Sequence, residues 1–142
     1  MTIIPHALTG AALGRLLFRK RYLAFMAGVG SHIFLDMVPH WDFWTIKAGV
    51  INTALALGGV IFLSLRFKDP YLFWGAAGAM VPDIEVATSA LGLWRGPLYF
   101  PTHSGVLPHI QASSWWSIPV QVLLSLTCIL LIFKDGKLGL AR

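Results

Sequence analysis

Four residues able to bind a metal or move a proton fall within an eleven-residue string: His32, Asp36, His40 and Asp42 follow the pattern H-x-x-x-D-x-x-x-H-x-D. His32 and Asp36 stand at i and i+4 and share a helix face. Pro39 is expected to break that helix before His40, which leaves Asp42 in the loop beyond. A second acidic pair, Asp83 and Glu85, follows Pro82. If the helix holds there, the two carboxylates diverge by about 200°; if it unwinds, both can turn inward. His6 lies near the start of the chain, and His103, between Thr102 and Ser104, lies in a polar segment with His109 close behind it. A mixed imidazole and carboxylate set suits Zn²⁺ first, with Mn²⁺ or Fe as alternatives. There are more ligands than one tetrahedral ion needs, so one or two divalent ions fit, or one ion with an acid left as general base. Taken singly, each of these residues has a plainer reading as a hydrogen bond between helices. Proton relays and ion pathways also use the same side chains.

The elements that must carry these residues are apolar. Of 142 residues, 56% are hydrophobic and only 12% charged, about half the charged share of a soluble domain. Five apolar runs cover 3–18, 22–38, 48–65, 71–93 and 115–133. Those over 48–65 and 115–133 are uncharged and long enough to span a bilayer. The runs over 22–38 and 71–93 span only if their polar residues face other helices. The first, at 16 residues, reaches only about 24 Å and is expected to be short or re-entrant. The fold expected is all-α: a single integral membrane domain over 1–142, a polytopic bundle of about five transmembrane helices. Cys128 reads as packing within the last run. Asn52 and Gln121 read as polar groups at helix interfaces. Small residues precede an acid in both 28–42 and 75–85, a faint repeat that helix packing alone can produce.

The net charge of +5 does not point to nucleic acid, because the basic residues sit at the edges of apolar runs: Arg15, Arg19, Lys20 and Arg21; Arg66 and Lys68; Lys134, Lys137 and Arg142. Assigning these groups to the cytoplasm by the positive-inside rule places the amino terminus outside and the carboxyl terminus inside. Lys47 and Arg95 are the exceptions. Trp41, Phe43, Trp44, Trp94, Tyr99, Trp115 and Trp116 then mark the outer interface, and Tyr22, Phe67 and Tyr71 the inner one. No positive segment precedes the first apolar run, so that run is expected to be retained.

At 1.5 Å per residue, His32 lies roughly 15 Å from the inner edge, Asp36 roughly 21 Å, and His6 and Asp83 roughly 18 Å each. Three helices thus deliver ionisable groups to one level, just beyond the midplane on the outer side. Each charge buried there costs at least ~2.5–3.5 kcal/mol. A shared cation offsets that cost. His6, His32, Asp36, His40, Asp83 and His103 are therefore the candidate metal ligands, with Asp42 or Glu85 as candidate base and Arg95 as a candidate clamp for an anion such as phosphate.

The motifs P-H-A-L-T-G at 5–10, V-P-D-I-E at 81–85 and T-H-S at 102–104 resemble the membrane-bound metal-dependent hydrolase family, some of whose members are described as LexA-binding inner-membrane hydrolases. The resemblance runs over most of the chain. It implies that His6, Asp83, Glu85 and His103 are site residues. Two departures stand out: Glu85 replaces an Asp of the pattern, and Trp94 replaces the His before Arg95. The function expected is a metal-dependent hydrolase acting on a lipid-linked phosphoester. The other readings are a metal-ion or proton transporter, and a non-catalytic protein stapled by its metal. A transporter needs a polar path to the cytoplasm, and nothing ionisable lies below His32 on its helix.

Overall fold

The structure is a computed structural model that describes residues 1–42, 45–112 and 115–137, with side chains to residue 134. Phe43, Trp44, Arg142 and the Lys137 side chain, assigned above to interface and topology roles, lie outside the described residues. Among the described residues the chain forms six α-helices and no strand: α1 (Ile3–Leu17), α2 (Arg21–Asp36), α3 (Ile46–Phe67), α4 (Pro70–Met80), α5 (Pro82–Ala90) and α6 (Ser117–Lys137).

The fourth apolar run is divided. Val81 keeps right-handed helical angles and its N–H still bonds Ala77 at 3.0 Å, but Pro82 has no N–H to continue the ladder. The chain does not unwind after Pro82. It restarts as α5, with Asp83 and Glu85 in the first turn, where carboxylates complement the helix dipole.

Five spanning helices were expected; among the described residues, α3 and α6 are the two long and apolar enough to cross a membrane. α1 is apolar but has only 15 residues. Large side chains on α3 and α6 are broadly exposed, among them Leu55, Phe62, Leu65, Leu123 and Leu130. Water solvates such a surface poorly.

α1, α2 and α4 pack closely because glycines remove the side chains at their crossings. A Cβ on Gly75 would lie 2.0 Å from the Gly10 carbonyl oxygen, and one on Gly28 would lie 2.1 Å from that of Gly75. Backbones this close are the product of small-residue interfaces. Around them Ala7, Leu8, Ala11, Val60, Leu72 and Ile132 form the apolar core. Cys128 joins that core, as expected, with Thr9 Oγ1 3.5 Å from its sulfur.

The polar residues of the two long helices fix where α1 begins. Thr2 gives α1 no side-chain cap; Asn52 Oδ1 of α3 instead accepts from Ile3 N at 2.9 Å and Ile4 N at 3.3 Å. Gln121 of α6 accepts from Thr2 N at 3.0 Å and donates to the Trp41 carbonyl at 3.0 Å. At the opposite end, Arg15 is buried and bonds Asp69 Oδ2 at 3.0 Å. Asp69 Oδ1 in turn caps α4 through Tyr71 N at 3.0 Å. Arg15 thus belongs to the interior of the bundle, and the exposed basic patch at this end starts with Arg19.

Candidate metal centre

All five histidines of the sequence, His6, His32, His40, His103 and His109, lie in one connected cluster with Asp36, Asp42, Asp83 and Glu85. Asp36, the last residue of α2, is at its centre. Its Oδ2 lies 3.1 Å from His32 Nε2 and 3.5 Å from His103 Nε2, and accepts from Thr102 Oγ1 at 2.6 Å. Its Oδ1 lies 3.3 Å from His6 Nε2 and 4.0 Å from His109 Nε2. The site is buried: His6, His32 and His40 are fully covered and Asp36 nearly so.

The ring tautomers follow from what stands behind each imidazole. His32 Nδ1 faces the Ala79 carbonyl at 2.7 Å, and a carbonyl only accepts, so the proton is on Nδ1. His103 Nδ1 faces Glu85 Oε1 at 3.0 Å, with the same consequence. In the neutral rings both Nε2 atoms therefore carry bare lone pairs, and they face each other at 3.4 Å. Asp83 Oδ1 completes the group, 3.8 Å from His32 Nε2 and 3.7 Å from His103 Nε2. Lone pairs converging on one point, each ring oriented from behind by a carbonyl or carboxylate, is how metal-binding histidines are held. Buried His and Asp groups of this chain can thus hold a metal ion, with His32, Asp83 and His103 each offering one atom within 4.8 Å of the others.

Glu85 has a different task from Asp83. Its two oxygens accept from Tyr99 N and Phe100 N at 2.9 Å each, and Oε1 also takes His103 Nδ1. Both oxygens are engaged in orienting the loop and the ring. The divergence expected of Asp83 and Glu85 on an intact helix is used: the His103 ring reaches between them, one acid near each nitrogen.

The loop after α5 carries His103 and His109. Its return is fixed by backbone pairing: Ile110 N bonds the Asp36 carbonyl at 2.9 Å, His40 N the Ile110 carbonyl at 3.1 Å, and Ala112 N the His40 carbonyl at 2.7 Å. This pairing sets His109 beside His40, with their Nε2 atoms 3.0 Å apart. Asp42 Oδ2 lies 3.3 Å from His40 Nε2 and 3.6 Å from His109 Nε2, and its Oδ1 lies 3.0 Å from the amino group of Met1. His109 was the one histidine left out of the candidate ligand set. Its spacing from the other ligands carries no signal, because a loop register brings it in.

In the loops, burial alone lowers the tendency of His103 to hold a proton, but its hydrogen bonds to Asp36 and Glu85 outweigh that and hold its pKa above the ordinary imidazole value. Burial would raise the Asp42 carboxyl, yet the hydrogen bonds from His109 and His40 hold it well below the usual carboxylate range. Among the described residues no lysine or arginine side chain is paired with Asp36, Asp42, Asp83 or Glu85. Arg95 is exposed in the loop after α5 and takes part in none of these ion pairs.

Two cavities reach the site. One, of about 570 Å³, is lined by Thr102, His103, Leu107, His109 and Gln111 of the loop. The other, of about 330 Å³, is an apolar groove lined by Ile3, Leu57, Val60, Met80 and Ile84, with Asp83 as its acidic member. No protein-family model, curated protein or solved structure matches this chain.

Proposed function

We propose that this protein is a membrane-embedded, metal-dependent hydrolase that acts on a lipid-linked phosphoester. The observation that carries the reading is the convergence of His32 Nε2 and His103 Nε2, 3.4 Å apart beside Asp36 and Asp83, with both rings anchored through Nδ1. Facing lone pairs repel unless a cation or a proton lies between them. Zn²⁺ fits this N and O donor set best, with Mn²⁺ and Fe next. The motif resemblance over 5–10, 81–85 and 102–104 supports the same class.

Such a cation supplies a polarised phosphoryl oxygen and a water of pKa about 7. The chain does the rest. His32 and His103 hold their rings in one orientation through Ala79 and Glu85. Thr102 donates to Asp36 and fixes that carboxylate. Asp83 faces both the His32–His103 pair and the apolar groove, which puts it where a water proton would be taken up beside a bound substrate. The loop cavity gives water access from the other side.

The lipid-linked substrate is supported by that groove. Leu57, Val81 and Ile84 along it are 43%, 43% and 56% exposed, so it opens sideways onto the apolar surface of the bundle. A hydrocarbon chain can lie in it with its headgroup at Asp83. The basic residues Arg19, Lys20, Arg21, Arg66 and Lys68 fall at or just beyond the α1–α2 and α3–α4 turns, away from the site. By the positive-inside rule the site then belongs to the outer half of the membrane. α1, α2 and the α4–α5 stretch are short for spanning alone and would do so as a packed group with α3 and α6.

The test is phosphate release from a diacylglycerol phosphate and a polyprenyl diphosphate in mixed micelles, against a water-soluble aryl phosphate. The lipid substrates are expected to be turned over with added Zn²⁺ or Mn²⁺. D83N and H103A should each lose the ion of this centre and at least ~10²-fold in rate. Full turnover by both variants, or preference for the soluble ester, would reject the proposal.

A further inference from the structure

We infer that the chain holds a second divalent cation, at His40, His109 and Asp42, coupled to the first through the two oxygens of Asp36. This goes beyond the hydrolase reading and rests on its metal centre only in sharing Asp36.

His40 is built as a ligand. It is fully buried, and its Nδ1 lies 2.7 Å from the Val38 carbonyl, which can only accept; Nδ1 is thus the donor there and Nε2 is the atom turned inward. That Nε2 lies 3.0 Å from His109 Nε2 and 3.3 Å from Asp42 Oδ2. Asp36, His40 and His109 each offer one ligand atom within 4.8 Å of the others. The donors come from the end of α2, the turn after it and the returning loop, and backbone pairing locks the last two together.

A second, independent observation comes from α1. His6 is fully buried, and neither of its ring nitrogens makes a hydrogen bond. A polar group left so costs free energy. Its Nε2 is nonetheless 3.3 Å from Asp36 Oδ1, close but off hydrogen-bond geometry. Oδ1 is the oxygen turned toward His109, while Oδ2 is turned toward His32 and His103. Two donor sets thus meet on opposite oxygens of one carboxylate, the arrangement of a bridging ligand. Charge agrees: two divalent cations would balance Asp36, Asp42, Asp83 and Glu85, none of which pairs with a lysine or arginine side chain among the described residues. The Met1 amino group, 3.0 Å from Asp42 Oδ1 and 3.8 Å from Asp36 Oδ1, is a positive group already drawn to these carboxylates.

The experiment is titration of the chelator-stripped full chain, in detergent, with Mn²⁺ alone, read as bound equivalents and by electron paramagnetic resonance. The wild type is expected to bind two equivalents and give an exchange-coupled signal. H109Q and D42N should each bind one, with the signal of an isolated ion, as should H103Q from the other side. D36N should lose the coupling. Unchanged helicity by circular dichroism identifies folded variants, and the half-buried loop position of His109, outside the helices, makes H109Q the safest of them. One equivalent in the wild type, or two retained in H109Q and D42N, would overturn the inference. One equivalent that H103Q removes and H109Q spares leaves the hydrolase centre standing. Two coupled ions in a protein that hydrolyses no phosphoester leaves the second site standing and removes the hydrolase.

Discussion

His32 Nε2 and His103 Nε2 stand 3.4 Å apart although the residues belong to different elements, α2 and the loop after α5, and both rings are locked from behind. Without a cation, the pair is tolerable only if a proton is shared with Asp36 or Asp83. With one, every donor is satisfied.

Removing a donor should remove the ion. H32A and H103A are each expected to lose one equivalent of bound Zn²⁺ or Mn²⁺ per chain, as elemental analysis of purified protein would report. Wild-type metal content in both would mean the ion, if any, binds elsewhere.

Glu85 should act through His103. E85Q keeps the size and removes the charge that holds the Nδ1 proton, and ring-orienting partners of metal-bound histidines are worth about 10–100-fold in metal affinity. Competition against a calibrated chelator measures this. An unchanged affinity would deny Glu85 its positioning role.

The pH dependence has a definite sign. His103 has its pKa raised above 6.5 in the folded, metal-free protein. The stability this gives is fully present below 6.5 and is lost as pH rises through the raised value. Chelated protein should therefore melt lower at about pH 8.5 than at about pH 6. Metal binding must displace that proton, so metal affinity should rise over the same window. The gap between metal-loaded and chelated melting temperatures is expected to widen with pH; a gap that narrows contradicts it.

The glycine crossing should set the site's geometry. G75V puts carbon atoms where the Gly10 carbonyl sits 2.0 Å from the position of a Cβ. It is expected to cost at least about 1–3 kcal/mol and to weaken metal binding by forcing α1 from α4. G30A, where a Cβ meets nothing within 4 Å, should change neither. Thermal melts and metal titrations of the two variants separate the cases.

Arg15 and Asp69 should matter to stability alone. Both are buried at the end of the bundle away from the site. Removing one partner of a buried pair costs about 3–5 kcal/mol. R15M is expected to lower the melting temperature while bound metal per folded chain stays at the wild-type value.

Much of the site was legible in residue types. The i, i+4 spacing of His32 and Asp36 placed both on one face, and counting along the apolar runs brought His6, Asp36 and Asp83 to one height. Those inferences need only helical geometry, which local sequence dictates. At Pro82 two courses were open, a helix that holds and one that unwinds, and the chain instead ends α4 at Met80 and starts α5 at Pro82. The restart as α5 was left open, since a first-turn proline is tolerated as well as a helix end. His109 was not legible as a member of the cluster. It reaches His40 only because Ile110 and Ala112 pair with backbone groups of 36–40, and hydrogen bonds between distant main chains leave no pattern in side-chain order. Nor did the order of residues separate Asp83 from Glu85. One faces the His32–His103 pair and the other the back of the His103 ring because a loop, returning from elsewhere, inserts between them. The sequence by itself determined an apolar all-helical chain with a polar core of histidines and acids, since composition and helical period suffice for that. Only the tertiary structure decided which oxygen of Asp36 meets which histidine, because that depends on glycine-sized crossings and a loop register that are set by contacts far apart along the chain.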